Sequence, residues 1–394
     1  MNLFPIKQPT LSLSISEEAL HLVEVKKTWR RTTFQEVKRV SFPSGVIRLS
    51  SAKPNIENME TFIEQLRILV EPLKTPISIA LSLPDLCART SVFDFSTFPT
   101  KIKEQTALLN WRFQQDLKLD TGQSRLSYAV YVPASLANAS KQENPEKVRV
   151  LGTAIRNEIV EQYERACLDL NLMPVSVSIG GLDIFDLYQR TIQDILEVED
   201  RRSTNPSSGA MFLFISHWGF TFFAFHEGCP SFVRTKAITI RPDSSRAPWD
   251  ASISGSEKQE NVLPKGGEDF QQVIDSPDLR NGDNSTHPYS SYTATKVEKE
   301  ILATLQYYLE TFSQNDSTPS LANLFVVSDL EHGHMLLPTS EHLQQTAKVS
   351  GLNVSDIQVT QLSYSTHFNK RESRFDQESY IWSALPGFAS LRVA

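Results

Sequence analysis

The most apolar stretch of the chain lies near its middle and predicts three consecutive short strands. Residues 211–216, 220–225 and 231–236 are rich in Phe, Val, Ile and Thr, the residue types that favour strands. Because side chains alternate between the two faces of a strand, most of these aromatic residues would be buried. A similar pattern opens the chain at 11–15 and 19–25. Two such strand patterns, one in each half of the chain, predict a duplicated α/β domain with a cleft between its halves.

The pattern after each beginning predicts further helices and strands. Apolar residues spaced by threes and fours indicate helices, and short apolar or alternating runs indicate strands. Gly180-Gly181 precedes one helix without the spacing of a phosphate-binding loop, which favours a strand-to-helix turn. The predicted helices are 58–70, 101–117, 158–170, 182–196, 293–312, 341–349 and 379–392, and the further strands are 33–40, 77–83, 88–95, 127–132, 148–155, 175–179, 324–327 and 357–362.

These elements predict two lobes. Residues 1–200 would form the first lobe, with a small inserted subdomain at about 77–150, and residues 209–394 would form the second. Between 241 and 292 the pattern stops, because the segment is rich in Ser, Pro, Asp, Gly and Asn and has few aliphatic residues. Such a segment cannot bury enough apolar surface to offset its ordering entropy, so we expect a disordered insertion there.

Composition narrows the class of protein. The 394 residues carry a net charge of −7, which argues against a nucleic-acid surface. The longest apolar run, 210–225, is shorter than the roughly 20 residues that span a bilayer, and the first ten residues lack a signal-peptide pattern. The three cysteines are widely spaced and form no Cys-x-x-Cys motif. A cytoplasmic protein without direct membrane insertion is therefore expected.

Candidate catalytic and metal-binding residues are few. His332 and His334 form a His-x-His pair without a second ligand pair, which is a weak metal signal. His217 lies in a predicted turn, where a lone histidine is more often a turn residue than a base. No Ser-His-Asp or Cys-His arrangement has supporting spacing. We therefore assign no catalytic residue and no metal ligand.

A further set of short segments matches the sequence pattern of a known family: 79–84, 93–99, 110–112, 127–131, 150–155, 174–181, 228–234, 300–308 and 383–392. In their order along the chain, these segments resemble the type IV pilus assembly protein PilM, a family of actin-like cytoplasmic proteins related to the cell-division protein FtsA. Ala303 stands where that family's pattern has Arg. The resemblance implies an actin-like (ribonuclease H-like) fold of two lobes.

The resemblance also locates the nucleotide motifs, and here the chain departs from the pattern. In actin-like ATPases each hairpin carries an Asp-x-Gly sequence that holds phosphate and metal. The first motif aligns with Ser14 and Ser16, and the second aligns with Phe214 and Ser216. A phenylalanine cannot coordinate Mg²⁺, and a Cβ in place of glycine blocks close approach to phosphate. The resemblance therefore implies a degenerate nucleotide site and argues against an enzyme.

The adenosine side of the site is altered as well. The family's Gly-Gly motif falls near Ser328-Asp329. The alternative is that the alignment slips by a residue or two and that Asp329, Glu300 and Glu17 hold a nucleotide. We expect no cofactor, with ATP and Mg²⁺ as the alternative.

By resemblance, the function would be that of a cytoplasmic scaffold in the inner-membrane platform of a type IV pilus or a related secretion system. It would bind a short cytoplasmic segment of a one-pass, PilN-like membrane protein. The alternatives are an ATP-binding protein whose nucleotide state gates docking, a sugar-kinase-like enzyme, and a domain related to the secretion protein GspL. Asn2-Leu3-Phe4-Pro5 resembles the segment by which PilN docks, so self-association or a chance match are both open.

Overall fold

A computed structural model describes residues 9–27, 32–131, 148–200, 209–226, 229–238, 240, 291–312, 321–330, 336, 341, 343, 358–362 and 384–393. Within these residues the chain forms three sheets and six α-helices. The helices are α1 (Met59–Val70), α2 (Ile102–Leu117), α3 (Asn157–Leu168), α4 (Gly180–Asp200), α5 (Ser291–Phe312) and α6 (Leu385–Val393). The strands are β1 (Leu11–Ile15), β2 (Ala19–Lys27), β3 (Thr32–Ser41), β4 (Ile77–Leu83), β5 (Arg89–Phe95), β6 (Ser124–Tyr131), β7 (Val148–Arg156), β8 (Leu172–Ile179), β9 (Gly209–Ser216), β10 (Gly219–His226), β11 (Cys229–Ala237), β12 (Leu321–Ser328) and β13 (Gln358–Gln361).

The two five-stranded sheets repeat one topology. The first has the order β3-β2-β1-β4-β8 and the second has the order β11-β10-β9-β12-β13. In each sheet the first three strands along the chain are antiparallel neighbours, and the last two run parallel to the first. The two hairpins at 11–25 and 211–225 therefore occupy equivalent places in two copies of one α/β unit, as their sequence pattern predicts.

Alternation along the strands gives each sheet two apolar faces. On the first sheet, Leu20 and Leu22 of β2 pack with α1 and α3 on the outer face, where Phe62 and Tyr163 are fully buried. On the second sheet, the outer face packs against α5 through residues such as Ile301. The period of two in the strands and the period of about 3.6 in the helices account for this arrangement.

The inner faces of both sheets share one layer of helices. Val23 and Val25 of β2 belong to the same buried cluster as Phe212 of β9, and helices α4 and α6 lie between them. Phe185 of α4 stacks on Phe223 of β10 with ring centroids 4.6 Å apart. The molecule is therefore layered as helices, sheet, helices, sheet, helix, with α4 and α6 common to both lobes.

Helix α6 approaches the first sheet closely because it begins with small or compact residues. A Cβ on Gly387 would lie 2.9 Å from Val23 Cγ2 and 3.1 Å from Ser14 Cβ, and a Cβ on Gly180 of α4 would lie 3.0 Å from Pro386 Cβ. The hydroxyls of Ser12 and Ser390 are 2.8 Å apart. A larger side chain at 387 would push α6 away from β1.

A three-stranded antiparallel sheet, in the order β5-β7-β6, forms a separate small subdomain with α2. Its core includes Phe93 and Phe113, and Gly152 of β7 leaves room for the Phe113 ring, 2.9 Å from where a Cβ would stand. Strand β4, by contrast, pairs in parallel with β1 and β8. The subdomain therefore begins at Arg89 rather than near 77, because β4 is needed to connect two strands of the first sheet.

Two predicted boundaries also shift. The last helix begins at Leu385 rather than 379, with Pro386 in its first turn, where the missing N–H costs no hydrogen bond. Helix α5 begins at Ser291, so the last two residues of the predicted insertion are helical. The rest of that insertion, residues 241–290, lies outside the described part of the chain. Most of the predicted helix 341–349 lies outside it as well. None of the described helices combines the length and hydrophobicity needed to cross a bilayer.

The shared helix layer gives a stability prediction. Phe388 of α6 is fully buried and stacks on Phe34 of β3, with centroids 4.3 Å apart. We expect Phe388→Ala to lower the free energy of unfolding by about 3–5 kcal/mol, because it leaves a cavity between the lobes. Urea denaturation measures the change. Ile68→Ala, at an exposed position of α1, is the control and should cost less than about 1 kcal/mol; equal effects would contradict the inferred role of α6.

Candidate functional site

The cleft between the two lobes is almost closed. It contains a cavity of ≈ 20 Å³, bounded by the carboxyl ends of β1, β4 and β9 and by the start of α6. We call this cavity, lined among others by Ser14, Ser82, Asp85, Phe214 and Asp329, the inter-lobe cleft. Its volume is close to that needed by one water molecule, whereas ligand pockets usually have about 300–1,000 Å³.

Most residues aligned with the nucleotide motifs meet at this cleft. Ser328 lies at the end of β12, directly before a cleft residue, and is buried. Glu300 of α5 is not among the lining residues, and its carboxylate pairs with Lys236 Nζ at 2.9 Å. Glu17 is absent from the lining as well. The aligned residues that line the cleft are Ser14, Ser16, Phe214, Ser216 and Asp329.

Aromatic and proline side chains occupy the space between the two hairpins. Trp218, in the turn between β9 and β10, is 6% exposed and makes an edge contact with Phe214, with centroids 6.3 Å apart. Pro386 of α6 lines the cleft from the other side. Apolar side chains thus fill much of the space between the two hairpins.

The serine hydroxyls at three of the aligned positions bond to other protein atoms. Ser16 Oγ donates to the Ala19 carbonyl at 2.9 Å and accepts from the Ala19 N–H at 3.0 Å, within its own turn. Ser216 Oγ donates to Asp329 Oδ2 at 2.8 Å, and Ser328 Oγ donates to the Ile215 carbonyl at 3.1 Å. The first pair of bonds closes the turn after β1, and the other two connect the ends of β9 and β12.

Asp85 connects three parts of the structure. It lies in a short 3₁₀ turn after β4, is buried, and accepts hydrogen bonds from the Gly181 N–H and from Thr221 Oγ1, each at 2.9 Å. Thr221 belongs to β10 of the second lobe, so this carboxyl links both lobes to the first turn of α4. Gly181 is required at this position, because any Cβ would overlap the Asp85 carboxyl.

Burial shifts the pKa values of the carboxyls around the cleft upward. It raises the pKa of Asp85 to about 6, against the hydrogen bonds from Gly181 and Thr221 that favour the ionised form. It raises the pKa of Asp329 to about 8, and the nearby Asp85 adds to that effect while the bond from Ser216 opposes it. At neutral pH the Asp329 carboxyl is therefore mostly protonated, unlike a carboxylate that holds a metal ion.

The two hairpin turns also face each other at the mouth of the cleft. His217 Nδ1, in the second turn, is 3.8 Å from Glu18 Oε2 in the first. Burial lowers the pKa of His217 and Glu18 opposes that shift, while burial next to Arg39 and His217 lowers the pKa of His21 to about 3. Both histidines are thus neutral at physiological pH. His217 stands in the turn predicted for it, and its role there is contact between the lobes.

A second and much larger concavity lies at the side of the first lobe. It has a volume of ≈ 610 Å³ and lies between β6 of the small subdomain and β8 of the first sheet, with α3 and α4 contributing to its walls. Both strands are the outermost strands of their sheets. We call this concavity, lined by residues 125–129 of β6, 174–179 of β8 and parts of α3, α4 and β7, the edge-strand groove.

The described part of the chain contains no cluster of potential metal ligands. No three His, Cys, Asp or Glu side chains there are close enough together to hold an ion. His332 and His334 lie outside the described residues, so the structure does not test the weak metal signal in that turn.

The sequence pattern missed Asp85, the role of Trp218 and the whole edge-strand groove. A signal for Asp85 exists, because a carboxylate directly after a buried parallel strand stands at the edge where α/β sheets place their functional groups. The groove has no comparable signal, since it is made by the edges of two sheets that come from separate stretches of chain.

The protonated state of Asp329 predicts a pH dependence. Because the folded-state pKa of about 8 lies above the ordinary 3.8, this group stabilises the fold fully below about pH 4, and the stabilisation is lost as the pH rises through about 8. Between about pH 6 and pH 9, the unfolding free energy of the wild type should fall by about 2–3 kcal/mol more than that of Asp329→Asn.

Urea denaturation at each pH measures this difference. Asn can still accept the bond from Ser216 and never ionises. The exposed Asp194→Asn, on α4, is the matched control and should keep the wild-type pH dependence. A slope for Asp329→Asn equal to that of the wild type would show that Asp329 is already ionised at neutral pH.

Comparisons by sequence find no relative: no protein-family model matches the chain, and no curated protein matches it. Comparison of structures does find similar proteins. A chain of the PilM–PilN type IV pilus biogenesis complex superposes with a TM-score of 0.61, at 16% identity, over 98% of this chain and 97% of that one.

Weaker similarities include a protein of unknown function with an actin-like ATPase fold from Bacteroides thetaiotaomicron (TM-score 0.39, 10% identity, 92% and 93% of the two chains). Another is the cytoplasmic domain of EpsL, an inner-membrane component of the type II secretion system of Vibrio cholerae (TM-score 0.37, 9% identity, 91% of each chain). The match to the pilus complex confirms the predicted fold class and, at the level of the fold, the resemblance to PilM: the chain has the two-lobed, actin-like α/β fold.

Proposed function

We propose that this chain is a cytoplasmic scaffold in the inner-membrane platform of a type IV pilus or a related secretion system. It binds a short cytoplasmic segment of a one-pass membrane protein in the edge-strand groove, and its inter-lobe cleft binds no nucleotide. The observation that carries the proposal is the contrast between the two concavities, ≈ 20 Å³ in the cleft and ≈ 610 Å³ in the groove.

The closed cleft supports the part of the proposal that concerns nucleotide. Phe214, Trp218 and Pro386 fill the space between the hairpins, and the hydroxyls of Ser16 and Ser216 are bonded to Ala19 and Asp329. A triphosphate would have to displace these side chains and bring its charge next to the Asp85 carboxyl, whose pKa of about 6 leaves it mostly ionised at neutral pH. Both costs act against binding.

The groove supports the part that concerns a peptide. Edge strands present unpaired backbone N–H and C=O groups, which an extended segment can use as an additional strand. Strand β8 has Pro174 within it, as edge strands allow, and its Met173 and Val175 side chains are 51% and 45% exposed. An exposed apolar edge of this kind is typical of a site that is covered by a partner.

The similarity to a chain of a PilM–PilN complex supports the class of partner. That complex takes part in type IV pilus biogenesis. By analogy, the partner of this chain would be a PilN-like membrane protein, and the chain would lie at the inner membrane through that contact. The analogy rests on the fold, so the groove itself must be tested.

A groove substitution provides that test. Val175→Arg places a charged, bulky side chain in the groove at a position where the native side chain is already 45% exposed, so the fold should keep its stability. We expect it to weaken binding of the partner peptide at least about tenfold. The probes are synthetic cytoplasmic segments of any one-pass membrane proteins whose genes adjoin the gene for this chain, and binding is measured by fluorescence anisotropy.

Val198→Arg is the matched control, because Val198 on α4 is 48% exposed and lies outside the groove lining. It should bind the peptide as the wild type does. If Val175→Arg also binds normally, or if none of these segments binds the wild type, the proposed docking function is wrong.

A separate experiment tests the expectation that the chain binds no nucleotide. Addition of ATP with Mg²⁺ at millimolar concentration should leave the melting temperature unchanged, because the cleft has no room for a phosphate chain. A nucleotide present at a hundred times its dissociation constant would add about 2.7 kcal/mol of stability, which differential scanning fluorimetry detects easily. An actin-like ATPase serves as positive control; a Mg²⁺-dependent rise for this chain would favour the alternative in which nucleotide gates docking.

A further inference from the structure

Charged residues are distributed unevenly along the edge-strand groove. Its lining carries one basic residue, Arg125, and three acidic residues, Glu164, Asp183 and Asp186. Arg125 and Glu164 stand at the end formed by β6 and α3, whereas Asp183 and Asp186 stand at the end formed by α4. The two ends therefore differ in what they offer to a bound segment.

The charges at the first end compensate each other. Arg125 Nη1 and Nη2 bind the two Glu164 oxygens at 2.5 and 2.8 Å, a two-pronged pairing that spans the groove from β6 to α3. The bond from Glu164 raises the pKa of Arg125, as expected for a satisfied guanidinium. This pair fixes the distance between the walls and leaves no free charge for a ligand.

The charges at the second end do not compensate each other. Asp183 is buried and accepts a hydrogen bond from Ser178 Oγ on β8, and burial raises its pKa well above the ordinary value, which favours the neutral form. Asp186, one helical turn further along α4, is exposed to the groove, and its partial burial still raises its pKa. Among the residues that the structure describes, no basic side chain lines this end.

The surroundings of Asp186 are apolar or weakly polar. Tyr131 of β6 stands on the opposite wall, and burial, together with Asp186, raises the pKa of its phenol to about 12. Between the two ends the walls combine aliphatic side chains, among them Leu151, Val160 and Val177, with the hydroxyl side chains of Thr153 and Ser176. A carboxylate at the edge of an apolar, partly desolvated surface gains more from a cationic partner than one in open water.

We propose that the segment bound in the edge-strand groove is an extended aliphatic peptide whose lysine or arginine side chain pairs with Asp186. This inference rests on the proposed docking function and adds the chemistry of the docked segment. The aliphatic part covers the walls between the two ends, and the cation neutralises the single uncompensated carboxylate of the groove. The Arg125–Glu164 pair closes the far end to a second charge.

The experiment first selects peptide ligands of the groove and then compares their binding to the wild type and to variants of the protein. Random peptides displayed on phage are selected on the full-length protein, and peptides that lose binding to Val175→Arg are kept as groove ligands. We expect these ligands to share a lysine or arginine at one fixed position. Replacement of that residue by norleucine should weaken binding to the wild type about tenfold, as measured by anisotropy, and should leave binding to Asp186→Asn unchanged.

Asp194→Asn, an exposed carboxylate on the same helix but outside the groove, is the matched control and should respond like the wild type. Binding of the selected peptide should also weaken as salt rises in the wild type and less so in Asp186→Asn. Groove ligands without a shared cation, or an equal loss on norleucine replacement in Asp186→Asn, would overturn the pairing while leaving groove docking intact. Selected peptides that all bind Val175→Arg unchanged would overturn docking and pairing together.

Discussion

The structure depends on one packing constraint: two sheets, each apolar on both faces, share a single layer of two helices on their inner sides. Val23 of the first sheet and Phe212 of the second lie in the same buried cluster, with α4 and α6 between them. Neither lobe can bury its inner face alone, so the lobes are held together by the hydrophobic effect. Lobe movement of the kind that opens a ligand cleft would expose this layer to water.

The same constraint closes the inter-lobe cleft. For α6 to reach the first sheet, its first turn must lie directly over the end of β1, and Gly387 and Pro386 make that approach possible. The start of α6 then occupies one side of the cleft while Trp218 occupies the other. Asp85 completes the closure by accepting hydrogen bonds from α4 and from β10 of the second lobe. Packing and hydrogen bonding therefore leave a cavity of ≈ 20 Å³, which has room for about one water molecule.

Whether a structural feature could be predicted from the sequence depends on how far apart along the chain its residues lie. The hairpins at 11–25 and 211–225 were predictable, because alternation and turn residues are local signals, and so were the strand at 77–83 and the start of α4 at its two glycines. The positions aligned with the family's nucleotide motifs rest on the resemblance alone. The bond between Asp85 and Thr221 joins residues 136 positions apart, and no local pattern encodes it. The edge-strand groove depends on two sheet edges meeting in space, so it appeared only with the tertiary structure.

Helix α4 connects the closed cleft to the edge-strand groove, so packing at the cleft also sets the shape of the groove. Its first turn is held at Gly181 by the Asp85 carboxyl, and its next turns carry Asp183 and Asp186 along one wall of the groove. Ser390 of α6, which bonds to Ser12, reaches the same wall. Because these helices are held at the cleft, the groove has its shape before any ligand binds, and a preformed site loses less entropy on binding than a flexible one.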